Sequence, residues 1–188
     1  MDKLNKNTIE KFQEFRSKKM LKFGQQLVKL GITANFLTFL SLITGLLAIY
    51  YLFNNYWYFL LFAILHLFFD ANDGVVARIY QPTVFGKYFD LITDNLVAAL
   101  ALFKTGWFLN DIYPQIISVL YIIMVIIYFK SDLETPIIFI RTAVLIVLAV
   151  ALVIPFTKEL LIIGYLVGGA TTIFSLAKQL QWFLGRKV

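Results

Sequence analysis

The chain is predicted to be an all-α integral membrane protein: six transmembrane helices preceded by an amphipathic juxtamembrane surface helix, with both termini cytoplasmic. Three observations predict this. Of its 188 residues 60% are hydrophobic, and the mean hydropathy is +0.79, whereas soluble domains use about 45 to 50% apolar residues. Apolar runs near the roughly 20 residues that cross a hydrocarbon core of about 30 Å follow one another almost without a break. Eight of the seventeen Lys and Arg residues precede the first run, which by the positive-inside rule holds the amino terminus in the cytoplasm.

The elements follow in order. In residues 1–31, Ile9, Phe12, Met20, Phe23, Leu27 and Leu30 recur at approximately helical spacing among lysines, the pattern of a helix lying on the membrane surface. Its apolar residues are spread out rather than collected in an h-region, so it does not read as a signal peptide. Residues 32–188 form one transmembrane domain with spans at 33–53, 56–80, 82–104, 112–129, 136–155 and 160–183. Six crossings return Arg186 and Lys187 to the cytoplasm. The loops assigned outside, 54–55, 106–111 and 156–159, carry only Lys158 as a basic residue. Tyr56, Trp57 and Tyr58 read as an outer aromatic belt. Without cysteine, disulfides, thiolate metal sites and cysteine nucleophiles are excluded. No nucleic-acid partner is expected, and membrane lipids are the surroundings.

Four of the eleven acidic residues, Asp70, Asp73, Asp90 and Asp94, occupy the facing ends of the second and third spans. At mid-bilayer a charged side chain costs about 2.5 to 3.5 kcal/mol, so four unpaired ones would cost about 10 to 14 kcal/mol. A bound cation is the expected compensation. At about 1.5 Å per residue, Asp70 lies about 9 Å from the cytoplasmic edge, Asp90 about 10 Å and Asp94 about 16 Å. Steps of 100° place Asp70, Asp73, Gly74 and Ala77 on one stripe and Gly86, Asp90 and Asp94 on another. Small residues beside carboxylates suggest a groove with hard oxygen ligands; for Gly74 and Ala77 alone, close helix packing serves as well.

Asp70, Asp73, Gly74, Ala77, Arg78, Gly86, Asp90 and Asp94 spell D-x2-D-G-x2-A-R-x7-G-x3-D-x3-D. This closely resembles the signature of the CDP-alcohol phosphatidyltransferases, membrane enzymes of phospholipid synthesis that include phosphatidyl- and archaetidyl-inositol-phosphate and -glycerophosphate synthases. The gap between Arg78 and Gly86 is slightly shorter than the family usually has. It falls in the loop around Gln81-Pro82, where a deletion is cheap. The opening of the first span, Gly31 to Thr38, is also similar to the family's, with Ala34 in place of a usual proline.

The resemblance implies attack of an alcohol hydroxyl on the β-phosphorus of a CDP-linked lipid, with release of CMP. It implies Mg²⁺ or Mn²⁺, two ions, held by Asp70, Asp73 and Asp90. Asp94 is then the general base, a ligand of the second metal, or both. Arg78 meets a phosphate, although alone it reads as a snorkelling interface arginine. Gly74, Ala77 and Gly86 make room for cytidine beside Asp73. Asn35 and Thr38 reach the nucleotide or metals, or simply cap their helix. A homodimer in the cell (plasma) membrane, multi-pass and with its active site open to the cytoplasm, is expected from the family. His66, one turn deeper than Asp70, is left outside the metal site as a hydrogen-bonded packing residue.

Arg141 falls at the depth of the carboxylates, about 8 Å in if its span is helical from Pro136. It either pairs with a carboxylate such as Asp132 or Glu134 or, with Lys130, holds the phosphate of an acceptor such as inositol phosphate or glycerol phosphate. Serine or inositol, an amino or neutral alcohol, is the alternative acceptor. An aromatic prenyltransferase would need more spans and a second Asp-rich motif. A carboxylate-based ion or proton transporter would need polar groups continuing to the outer face, and here the ionisable residues near that face stand at span ends.

Overall fold

The span that carries the most charge is placed at the centre of the fold. The computed structural model describes residues 21–80, 83–154 and 157–185, the side chains of Thr142 and Thr157 apart. Its helices are α1 (21–29), α2 (Ala34–Tyr51), α3 (Tyr56–Tyr80), α4 (Val84–Leu109), α5 (Ile112–Lys130), α6 (Arg141–Ala151) and α7 (Thr157–Gly185). No strand occurs among the described residues. The first twenty residues of the expected surface helix, the Gln81-Pro82 loop and the terminal Arg186 and Lys187 lie outside them.

Local chemistry sets most of the helix ends. Gly31, at φ +76°, closes α1 in a Schellman arrangement, with Gly31 N–H donating to Val28 and Ile32 N–H to Leu27. Thr33 caps α2 by accepting from Phe36 N–H at 3.3 Å, and Thr83 caps α4 by accepting from Gly86 N–H at 3.0 Å. Asn110 ends α4 in the left-handed region. Lys104 turns its ammonium onto the last carbonyls of α2, Ile49 at 2.7 Å and Tyr50 at 2.8 Å, where a cation favours the helix terminus.

α4 packs against α2, α5, α6 and α7. It contributes Val97 and Ala101 to one hydrophobic cluster with Leu52, Phe59 and Leu148, and Ala98, Ala99 and Leu102 to another with Tyr121, Met124 and Tyr165. Its small residues let neighbours approach closely. Large apolar side chains elsewhere, such as Ile64, Ile122 and Leu166, face outward, as a lipid environment requires. Buried polar pairs tie helices together, among them Ser41 Oγ with His66 Nδ1 at 2.8 Å and Tyr121 donating to Asn95 Oδ1 at 2.5 Å.

Among the described residues, four helices are both long and apolar enough to cross a membrane: α2, α3, α5 and α7. α4 has the length, 26 residues, but carries Lys87, Asp90, Asp94 and Lys104. The predicted helical span at 136–155 is corrected: only Arg141–Ala151 is helical, 11 residues, or about 16 Å. Proline at 136 removes a donor, and Asp132 and Leu133 have positive φ. Ile138 N–H is satisfied instead by Ser175 Oγ of α7 at 3.2 Å. Five non-helical residues can advance up to about 16 Å, against about 8 Å in a helix, so Arg141 stands at the first turn of α6 rather than within it.

Candidate active site

Consecutive helices α3 and α4 scarcely pack on one another among the described residues; α2 lies against both, and α6 touches both. The aspartates line the gap so formed. One carboxylate oxygen from each of Asp70, Asp90 and Asp94 lies within 4.8 Å of the others. Arg141 enters the gap from α6. Its Nη1 donates to Asp70 Oδ1 at 2.5 Å and its Nη2 to Asp70 Oδ2 at 2.6 Å, while Nη1 also donates to Asp94 Oδ1. The three side chains are 14%, 16% and 21% exposed for Arg141, Asp70 and Asp94.

Asp73 stands beside this group. It is buried and its Oδ2 accepts from Thr38 Oγ1 of α2 at 2.6 Å, a short bond of the kind made to a charged acceptor. One guanidinium faces four carboxyl groups, so the acidic side chains outnumber the basic one. Hard oxygen donors, three of them clustered within a few ångströms, fit Mg²⁺ or Mn²⁺.

A cavity of about 500 Å³ opens next to the carboxylates. Its wall gathers Asn35, Thr38, Asp73, Gly74, Ala77 and Gly86, together with Thr33, Ala34, Tyr80, Thr83, Lys87 and Asp90. Every residue expected to meet the nucleotide is thus brought to one space except Arg78, which is exposed and donates from Nε to Gly74 O of its own helix at 3.0 Å. The motif glycines serve this wall differently. A Cβ on Gly86 would meet Asn35 Oδ1 at 2.7 Å and Thr83 Oγ1 at 2.9 Å, so glycine here admits the Asn35 side chain. A Cβ on Gly74 would meet nothing nearer than Arg78 at 3.9 Å; no protein atom demands glycine, and the space left belongs to the cavity.

Of the expected acceptor residues, Arg141 joins the carboxylates directly, whereas Lys130 is exposed at the end of α5. His66 is fully buried, with Nδ1 3.0 Å from Ser41 O. Sequence reasoning missed Tyr80, Thr83 and Lys87 in the cavity wall. A signal existed for two of them: Thr83 is a capping residue ahead of an apolar run, and Lys87 lies one turn before Asp90 on the acidic stripe.

The fold and site define a helical protein suited to a membrane, in which clustered carboxylates adjoin a cavity. The family model for CDP-alcohol phosphatidyltransferase matches residues 31–177, most of the chain, and the protein belongs to that family. It is a phosphotransferase of phospholipid synthesis, acting on a CDP-linked alcohol. This sets aside the carboxylate-relay transporter. Neither a curated relative nor a solved structure matches the chain significantly.

Proposed function

We propose that the enzyme transfers a phosphatidyl-type group from CDP-diacylglycerol or CDP-archaeol to a phosphorylated alcohol, inositol phosphate or glycerol phosphate, releasing CMP. The observation that carries this reading is the double position of Asp90, which belongs both to the carboxylate group and to the cavity wall. A nucleotide held in the cavity therefore presents its diphosphate to the acidic cluster.

In this reading cytidine rests against Gly74, Ala77 and Gly86, with Asn35 and Thr38 in reach of the nucleotide and Arg78 turning to a phosphate. Asp70, Asp73, Asp90 and Asp94 would hold two Mg²⁺ or Mn²⁺ ions, which would supply neutralisation of the diphosphate and of charge on the leaving oxygen. Thr38 orients Asp73 through its hydrogen bond. Asp94 takes the proton of the acceptor hydroxyl as its oxygen bonds to the β-phosphorus and the bond to the CMP oxygen breaks. Lys130 and Arg141 receive the acceptor's own phosphate. The reading includes six crossings, with α4 and the segment at 136–155 completing the four most apolar helices, both termini and the active site facing the cytoplasm of the plasma membrane, and a homodimer.

A second reading, a neutral or amino alcohol such as inositol or serine, is favoured by one observation: both terminal nitrogens of Arg141 are engaged by Asp70 and Asp94. CMP release from each CDP-lipid with Mg²⁺ or Mn²⁺ and a panel of glycerol phosphate, inositol phosphate, inositol and serine separates the two. Turnover with a phosphorylated acceptor supports the first; turnover with inositol or serine alone replaces it.

A further inference from the structure

Arg141 and a divalent cation need the same oxygens. The guanidinium holds both oxygens of Asp70 and one of Asp94, and Asp70, Asp90 and Asp94 are the carboxylates close enough together to share an ion. The arginine is not locked in place on every side. It is the first residue of α6, the preceding Ile140 makes no side-chain cap, and residues 136–140 are non-helical. Its Nε is buried with no hydrogen-bond partner, a donor left unsatisfied where most buried donors are paired.

We propose that Arg141 is a resident counter-cation of Asp70 and Asp94 that is displaced when a divalent metal binds. Displacement frees the guanidinium for the phosphate of the acceptor, so metal and acceptor anion strengthen each other's binding; this consequence rests on the anionic-acceptor reading above. Such coupling is reciprocal by linkage.

The test is Mn²⁺ affinity of the purified full chain in detergent, read from the free-Mn²⁺ signal in electron paramagnetic resonance. Arg141→Gln is expected to bind Mn²⁺ at least about tenfold more tightly than the unsubstituted protein, because a competing charge within a few ångströms is gone. Arg141→Lys should fall between, keeping the charge without the planar fork. Equal or weaker binding by Arg141→Gln overturns the proposal and makes Arg141 an organiser of the carboxylates. Should that variant not fold, the ¹⁵N resonance of the Arg141 side chain, assigned by its loss in Arg141→Lys, should move on Mg²⁺ titration; a stationary resonance is equally fatal. Glycerol phosphate or inositol phosphate should then tighten Mn²⁺ binding in the unsubstituted protein and not in Arg141→Gln. Tighter Mn²⁺ binding by Arg141→Gln with no anion effect upholds displacement and removes the anionic acceptor.

Discussion

Arg141 grips Asp70 with both arms of its guanidinium, at 2.5 and 2.6 Å, tying α6 to α3 across 71 positions of sequence. A bidentate bond of this geometry fixes orientation as well as charge. It places the start of a short helix inside the gap between the two acidic helices, where the carboxylates would otherwise face one another uncompensated.

Asp70 therefore has two partners to lose. Asp70→Asn keeps the shape of the side chain and removes its charge. CMP release should fall by at least about a hundredfold, the scale of losing one electrostatic stabiliser of a transition state. Retention of full activity would remove Asp70 from the metal site.

Thr38→Val deletes the 2.6 Å hydrogen bond to Asp73 while preserving side-chain volume. A hydrogen bond to a charged group contributes about 1.5 to 3 kcal/mol, so kcat/KM for the CDP-lipid should drop by about ten- to a hundredfold. The melting temperature should fall by several degrees as well, since the buried Asp73 carboxyl loses its donor. An unchanged kcat/KM would mean that Asp73 needs no orientation from α2.

The two glycines of the cavity wall should part company. Gly74→Ala adds a methyl group into the cavity with no protein atom closer than 3.9 Å, so it should fold normally and raise KM for the CDP-lipid. Gly86→Ala forces a methyl group to 2.7 Å from Asn35 Oδ1 and 2.9 Å from the capping Thr83 Oγ1. Overpacking of this kind costs about 1 to 3 kcal/mol, and both melting temperature and activity should decline. Thermal melts paired with CMP-release kinetics check each outcome.

Ser41→Ala leaves His66 Nδ1 with the Ser41 carbonyl but without the hydroxyl at 2.8 Å. Interhelical hydrogen bonds in membranes contribute about 0.6 kcal/mol on average and up to about 1.7. A loss of stability on that scale, with Mn²⁺ affinity unchanged, is expected. A change in Mn²⁺ affinity would bring His66 into the metal site.

Chelation should abolish CMP release, and Mg²⁺ or Mn²⁺ should restore it. Activity that survives exhaustive chelation would remove the divalent ions from the reaction.

The acidic stripes and the apolar helices were legible in the sequence because each depends on local properties. Transfer free energy is summed residue by residue, and a 100° step puts Asp70 with Asp73 and Asp90 with Asp94 whatever surrounds them. The gathering of Asn35, Thr38, Gly74 and Gly86 around one cavity was legible for a further reason: together with the aspartates they match a family pattern. Tyr80 was not, since a tyrosine near a span end has an ordinary interfacial explanation, and the same explanation masks the signal that Lys87 leaves on the acidic stripe.

By itself, then, the sequence determined that the chain is helical and suited to membrane, and that seven of the eight motif residues lie on two stripes. Only the tertiary structure decided that α3 and α4 stand apart, that α6 begins at Arg141, and that the arginine closes the gap onto Asp70 and Asp94. The physical reason is where hydrogen bonds are satisfied. The backbone at 136–140 leaves the helix because Ser175, on another element, takes up the Ile138 N–H, and the guanidinium ends where distant carboxylates converge. Neither partner can be read from neighbours in the chain.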